Sequence, residues 1–363
     1  MVSNHTGKKK VAILIENFVE DAEFQVPYNA LKQAGMEVVV LGSRVNETYK
    51  GKQGKLSKQP DGTTTEAIAS EFDAVVIPGG MAPDYMRRNP NTVRFVQEAM
   101  QQGKWVAAVC HGPQVLIEGD LLKGKQATGF IAIRKDMINA GANYIDEPLV
   151  VDGNLITSRQ PGDLAIFTTA ILSRLGYGGK DAALPDENNP TAEWWKVADA
   201  WGGSTKGEIV KALNTALAGE RYSQEALDKY AEKESDAEVK SVFQEINGGK
   251  QRHIQLLEAR LDQLGEKPSL AANIANHYAK VKTALTGSDD IYQLRSALGD
   301  VQTGIGDIGN LIAVTTDPVS TAMFTQIHKE LLTYEQRLVD LYRARMGAQV
   351  KPAKPTTGAA VSM

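Results

Sequence analysis

Between residues 10 and 175 the chain alternates short, predominantly apolar runs with longer stretches whose apolar positions recur at three- and four-residue spacing. Residues 10–15 (KVAILI), 36–41 (MEVVVL), 72–77 (FDAVVI) and 105–109 (WVAAV) read as strands. Such continuous apolar runs suit a parallel sheet covered on both faces. Helices are expected up to Gly35, which suits a C-terminal cap, and from Asn91 to Gly103. The polar, Gly-rich residues 50–62 interrupt the rhythm as a small hairpin or excursion. Strands and helices in alternation predict an α/β fold, a doubly wound and mostly parallel sheet with reactive groups at the carboxyl ends of its strands.

From Gly176 the pattern changes. Gly176-Tyr-Gly-Gly-Lys180 and Leu184-Pro-Asp-Glu-Asn-Asn-Pro190 read as a linker with a turn at each proline. Residues 191–201 (TAEWWKVADAW) follow as a short helix. Trp194, Val197, Ala198 and Trp201 fall on one face of it, which is expected to dock rather than stay exposed. From Lys206 the apolar spacing is helical throughout, over about 206–233, 236–264, 289–314 and 318–346, with a shorter helix near 270–285. This predicts an all-α bundle. The expected division is a disordered tail at 1–9, a first domain at 10–176, a linker at 177–205, a bundle at 206–348 and a disordered tail at 349–363.

Composition narrows the functional classes. At 363 residues two domains are expected, and a net charge of −4 gives no electrostatic footprint for nucleic acid. One cysteine rules out an intramolecular disulfide and fits a reducing compartment. The basic N-terminus has no apolar run behind it long enough for a signal peptide, and no segment reaches the roughly 20 apolar residues of a membrane span. A cytoplasmic protein without membrane or nucleic-acid partners is expected. No Gly-x-Gly-x-x-Gly follows a strand and no Walker motif is present, so no nucleotide cofactor is indicated.

The chemistry concentrates at Cys110-His111-Gly112-Pro113, where a buried strand gives way to helical spacing. A nucleophile at such an elbow is lifted clear of the sheet, at a helix N-terminus that favours thiolate over thiol. A buried, unreactive cysteine is the alternative on these residues alone.

Taken in order, several pieces resemble the DJ-1/PfpI family, and within it the PfpI-like peptidase/deglycase branch. They are Glu20-Asp-Ala-Glu23, Leu31-x-x-Ala-Gly35, Val76-Ile-Pro-Gly-Gly80-x-Ala-Pro-Asp84 and Ala108-Val-Cys-His-Gly-Pro-Gln114. Asp136-Met-Ile-Asn-Ala-Gly141 and Val151-Asp-Gly-Asn-Leu-Ile-Thr-Ser-Arg159-x-Pro-x-Asp163-Leu continue the series. The resemblance implies a flavodoxin-like sheet of the class I glutamine amidotransferase type. It implies Cys110 as nucleophile, Glu20 as a protonated carboxyl against the sulfur, and His111 as acid/base. Backbone N–H groups at Gly79 and Gly80, and near His111, would supply an oxyanion site. Asp84 matches an acid that orients the histidine of a neighbouring subunit, although the family carries the longer Glu there. A homodimer or higher oligomer that completes the active site is therefore expected. The substrates implied are small reactive carbonyls or peptides, through peptidase, deglycase or glyoxalase chemistry in a stress response. The alternative is a non-catalytic redox-sensing or chaperone-like protein whose bundle serves assembly or metal handling.

Residues 250–261 and 335–346 align as an internal repeat, and the bundle resembles ferritin-like, rubrerythrin-like domains. There a Glu-x-x-His pair on each of two helices joins two further acids around metals. Here the pairs read Lys250-x-x-His253 and Glu335-x-x-Leu338. Glu220 and Asp300 stand where the other acids would fall. An ammonium repels a divalent cation, so a metal-free bundle is expected, with Lys250 paired to Glu220 or Glu335.

Overall fold

The computed structural model describes residues 8–177, 184–269 and 290–346. Residues 1–7 of the expected N-terminal tail, the expected C-terminal tail and the shorter helix near 270–285 lie outside the described residues, while Lys9 is placed, its Nζ 2.9 Å from Asp73. The chain forms two compact units: Met1–Ile209 with Leu311–Ala322, and Val210–Asn310 with Met323–Met363.

The first unit is built on β1 (Lys10–Leu14), α1 (Asp21–Gln33), β2 (Glu37–Gly42), β3 (Tyr49–Lys50), β4 (Ser57–Lys58) and β5 (Gly62–Thr63). The chain continues through β6 (Ala74–Ile77), α2 (Ala82–Met86), α3 (Pro90–Gln101), β7 (Trp105–Val109) and α4 (Pro113–Glu118). Next come β8 (Gln126–Ala127), α5 (Arg134–Asn139), β9 (Asn143–Tyr144), β10 (Leu149–Asp152), β11 (Leu155–Ser158), α6 (Leu164–Arg174) and α7 (Trp194–Ala200). Seven strands make the main sheet in the order β10-β11-β7-β6-β1-β2-β5. Every pairing is parallel except β10 with β11. The apolar runs β1, β6 and β7 occupy its centre, and Ile13, Val75, Val76, Ala107 and Ala108 are fully buried between helices on both faces. The polar excursion of residues 50–62 resolves into the β3–β4 hairpin, after which β5 extends the sheet edge beside β2.

The order of strand addition reverses at β1: β2 lies on one side of it and β6 on the other, so the carboxyl ends of β1, β6 and β7 open at a switch point. The Trp-rich helix docks as expected. Trp194 and Trp201 are buried, the Asn29 amide donates to the Trp201 carbonyl at 2.9 Å, and Gln33 donates to the Ala200 carbonyl at 3.1 Å.

The second unit is all-helical among its described residues. Its helices are α8 (Lys206–Lys233), α9 (Ala237–Gln263), α10 (Asp290–Val314) and α11 (Pro318–Met346); the start of α8, the end of α10 and the start of α11 are counted with the first unit. Asp236 caps α9, its side chain accepting from the N–H groups of Glu238 and Val239.

Candidate active site

The elbow between β7 and α4 is sharp for a steric reason. A side chain at Gly112 would place its Cβ 2.4 Å from the Ile77 carbonyl oxygen and 2.9 Å from that of Val109, so only glycine lets the chain turn here. The turn forces Cys110 to φ +59°, a left-handed conformation rare outside glycine. Strain of this kind gathers where structure holds a reactive group in place.

Around the sulfur, three strand ends meet. His111 follows on the same turn, its Nδ1 3.3 Å from Cys110 Sγ, and its ring lies tilted against Phe130 at 5.1 Å. From the end of β6, Gly80 donates its backbone N–H to the sulfur. An isolated bridge between Val19 and Gly80 ties this segment to the turn after β1, where Phe18 takes φ +63°.

The carboxyl beside the sulfur is Glu23, not Glu20. Glu23 is fully buried in the first turn of α1, and its Oε2 accepts the Gly79 N–H at 2.7 Å. Its Oε1 is buried without a hydrogen-bond partner, and the Cys110 side chain is the carboxyl group's other polar neighbour. Burial, reinforced by the nearby Glu20 charge, raises the Glu23 pKa to about 8, so this acid keeps its proton at neutral pH. Glu20 precedes the helix and its Oε2 instead pairs with Lys52 Nζ at 3.5 Å. Burial raises the Glu20 pKa too, against the pull of the Lys52 charge.

Two further expectations are revised. Gly79 cannot donate to an oxyanion, because Glu23 already takes its N–H. Its place in the site is steric: a Cβ there would lie 2.7 Å from both Glu23 Oε2 and the His111 nitrogen. Nor is the cysteine a resting thiolate. Burial, the largest effect, pushes the thiol pKa well above its ordinary value. The imidazole moves the other way: burial and the Lys52 charge lower the His111 pKa, opposed by Asp84. The arrangement places a thiol 3.3 Å from an imidazole nitrogen whose pKa is lowered by burial.

Asp84, in α2, has a half-exposed side chain and pairs with Arg87 at 2.9 Å. Its only interaction with His111 in the chain is through its charge.

In the helical unit, Lys250 Nζ sits 2.9 Å from Glu220 Oε1, with both side chains almost fully buried. Of the two partners foreseen for Lys250, the structure selects Glu220; Glu335 takes the Gln302 amide at 2.8 Å. His253 Nδ1 lies 2.8 Å from Glu220 Oε2, and its Nε2 lies 3.1 Å from Glu330 Oε2. Tyr334 adds its hydroxyl to Glu330 at 3.3 Å. Burial alone would raise the Glu220 pKa, but the Lys250 charge and the His253 hydrogen bond outweigh it and hold it below the ordinary value. Asp300 accepts from the Tyr230 hydroxyl at 2.8 Å. The acids and the imidazole are thus spent on a protein cation and on one another, and among the described residues no group of three or more His, Cys, Asp or Glu is placed to hold a metal ion.

Comparison with known proteins agrees with this architecture. Residues 9–174 match the DJ-1/PfpI family, and residues 208–303 match a domain of unknown function, DUF2383. The chain is 41% identical over 169 residues to protein/nucleic acid deglycase 2 of Escherichia coli, covering 46% of this chain and 98% of that protein. It is 46% identical over 155 residues to deglycase PfpI of Pyrococcus furiosus, covering 43% of this chain and 92% of that one. A crystal structure of a two-domain protein from Anabaena variabilis, described as containing DJ-1/ThiJ/PfpI-like and ferritin-like domains, is 78% identical. It covers 97% of this chain and 100% of its own, with a TM-score of 0.90. On its sequence and on its sheet alike, the chain belongs to the DJ-1/PfpI family, with an all-helical second unit joined to the family's domain.

Proposed function

We propose that the first unit is a cysteine-dependent enzyme of the PfpI type that acts on reactive carbonyl groups in the cytoplasm as part of a stress response. One observation carries this reading: Cys110 at φ +59° with a neutral imidazole nitrogen 3.3 Å from its sulfur. Relatives named as deglycases support the chemical class. Among the described residues no helix is long and apolar enough to cross a membrane.

For an α-oxo aldehyde such as methylglyoxal the steps follow from the site. His111 takes the thiol proton, the sulfur attacks the aldehyde carbon, and the carbonyl π pair moves to oxygen. The protonated Glu23 stabilises the sulfur as it becomes thiolate. The backbone N–H of His111 is the donor for the oxyanion, which then regains the proton from the His111 ring as a hemithioacetal. The hydrogen on the first carbon moves to the second while the hydroxyl proton passes to the second carbon's oxygen, which oxidises the first carbon, reduces the second and gives a lactoyl thioester. Water cleaves it to lactate and restores the thiol. No external oxidant is required.

We infer that Asp84 acts on His111 from a neighbouring subunit, since within the protomer it pairs with Arg87 beside exposed Phe18, Met81 and Tyr85. The test of the whole reading is lactate formation from methylglyoxal by the full chain and by Cys110→Ala. Loss of at least about a thousandfold is expected; comparable turnover by the variant would overturn the reading.

A further inference from the structure

The strained residue of the elbow is held from both sides. Cys110 donates its backbone N–H to the Ser158 carbonyl at the end of β11, at 3.0 Å, and its own carbonyl accepts the N–H of Phe130 at 2.9 Å. Phe130 closes a short segment that leaves β8 and passes against the elbow: a Cβ at Gly129 would lie 3.2 Å from the Cys110 carbonyl oxygen. Each residue of that segment is pinned. The Thr128 N–H donates to Thr157 Oγ1 at 2.9 Å, the Tyr144 hydroxyl donates to the Gly129 carbonyl at 2.9 Å, and the Phe130 carbonyl accepts the Ile133 N–H at 3.0 Å.

The segment delivers an aromatic ring to the imidazole. Phe130 is half-buried, its ring centroid is 5.1 Å from that of His111, and the two planes are inclined by 32°. A histidine's working orientation is ordinarily fixed by a hydrogen bond on its second ring nitrogen. Among the described residues the one side-chain hydrogen bond of His111 is that between Nδ1 and the Cys110 sulfur at 3.3 Å, so no second bond fixes the ring and its orientation falls to packing. A ring turned over about its Cβ–Cγ bond would offer carbon to the sulfur in place of Nδ1.

We propose that Phe130 is a positioning residue of this site: held against the elbow by its own backbone, its ring keeps the His111 imidazole in the orientation that points Nδ1 at the Cys110 sulfur. The proposal rests on the reading of His111 as the base. Phe130 has no proton to exchange, and it acts through the imidazole.

The experiment uses the full-length chain with Phe130→Leu, Phe130→Tyr, His111→Gln, and Phe130→Leu combined with His111→Gln, all of which keep the backbone N–H at position 130. Two quantities are measured: kcat and KM for methylglyoxal, and the rate at which iodoacetamide alkylates Cys110, which reads thiol activation without carbonyl chemistry. Contact between two rings biases an orientation by a factor of roughly 2 to 10. Phe130→Leu is therefore expected to lower kcat and the alkylation rate about three- to tenfold with KM within about twofold of wild type, while Phe130→Tyr, which keeps the ring face, matches wild type. In the His111→Gln background Phe130→Leu should change neither rate further, because its intermediary is gone. Wild-type rates in Phe130→Leu, or an equal loss in both backgrounds, would overturn the proposal; the equal loss is what a merely structural role gives. The underlying reading fails differently: His111→Gln keeps the wild-type kcat, or Cys110→Ala remains active. Should Phe130→Leu not fold by circular dichroism, Phe130→Met, which also keeps apolar bulk without a ring face, takes its place with the same outcomes.

Discussion

Replacing Glu23 by glutamine preserves the side chain's shape and removes its ability to ionise. The magnitude follows from the site. Glu23 is fully buried with a pKa of about 8 against an ordinary 4.5, so at pH 7 folding takes an ionised carboxylate from water and leaves it as a neutral acid inside. The sign is set by which state holds the extra proton. Between pH 4.5 and 8 the folded chain does, so the stability linked to this group is whole below pH 4.5 and falls as pH rises towards 8. At about 1.4 kcal/mol per unit, the wild type loses about 3 kcal/mol by pH 7 and about 4 by pH 8, and Glu23→Gln has no such loss. The assay is the urea midpoint of the full chain followed by tryptophan fluorescence, because Trp105, Trp194, Trp195 and Trp201 all lie in the first unit. Glu23→Gln is expected to gain on the wild type steadily from pH 5 to 8. The glutamine amide still has a proton to donate towards the sulfur, so activity should persist at neutral pH and lose the alkaline fall near pH 8. A stability difference between the two proteins that stays constant with pH would refute the placement of a neutral, buried acid beside Cys110.

The other expectations are brief. Lys250→Met strands the buried Glu220 carboxylate and should destabilise the helical unit by about 3–5 kcal/mol in far-ultraviolet circular dichroism melts, while Lys250→Met with Glu220→Leu recovers more than half of that. Gly79→Ala drives a Cβ to 2.7 Å from Glu23 Oε2 and to 2.9 Å from the Cys110 Cβ. It should cost about 1–3 kcal/mol in the same tryptophan-followed urea titration and lower methylglyoxal turnover at least tenfold. His111→Gln removes the base and should lower kcat by about a hundredfold to ten-thousandfold with an unchanged urea midpoint.

The sheet and the long helices were legible because their signals are dense. Continuous apolar strands and four-residue periodicity over more than 25 residues leave little competing structure. The Lys250–Glu220 pair was legible for a related reason, since an ammonium on an apolar helical face must find a carboxylate. The misreading of Glu20 for Glu23 turns on where α1 begins. With the helix starting at Asp21, Glu23 shares a face with Val26, Pro27 and Ala30, all buried, whereas Glu20 lies before the first turn. That three- and four-residue spacing was present in the chain and marks Glu23 as the inward acid. Glu330 stood one turn before the repeat used to align the helices, so the pairing with His253 had no signal in that alignment. Lys52 had none either: its approach to Glu20 depends on a turn whose Gln53, Lys55 and Leu56 N–H groups donate to Asp21, and backbone donors leave no trace in residue identity.

The central claim is that a thiol activated by its neighbouring imidazole attacks carbonyl carbon. Its most direct test is acid quenching of the full-length protein during methylglyoxal turnover, followed by mass mapping of the peptide that contains Cys110. The account predicts a lactoyl thioester on Cys110 that disappears as substrate is exhausted. Lactate accumulating while that cysteine stays unmodified at every time point would contradict it.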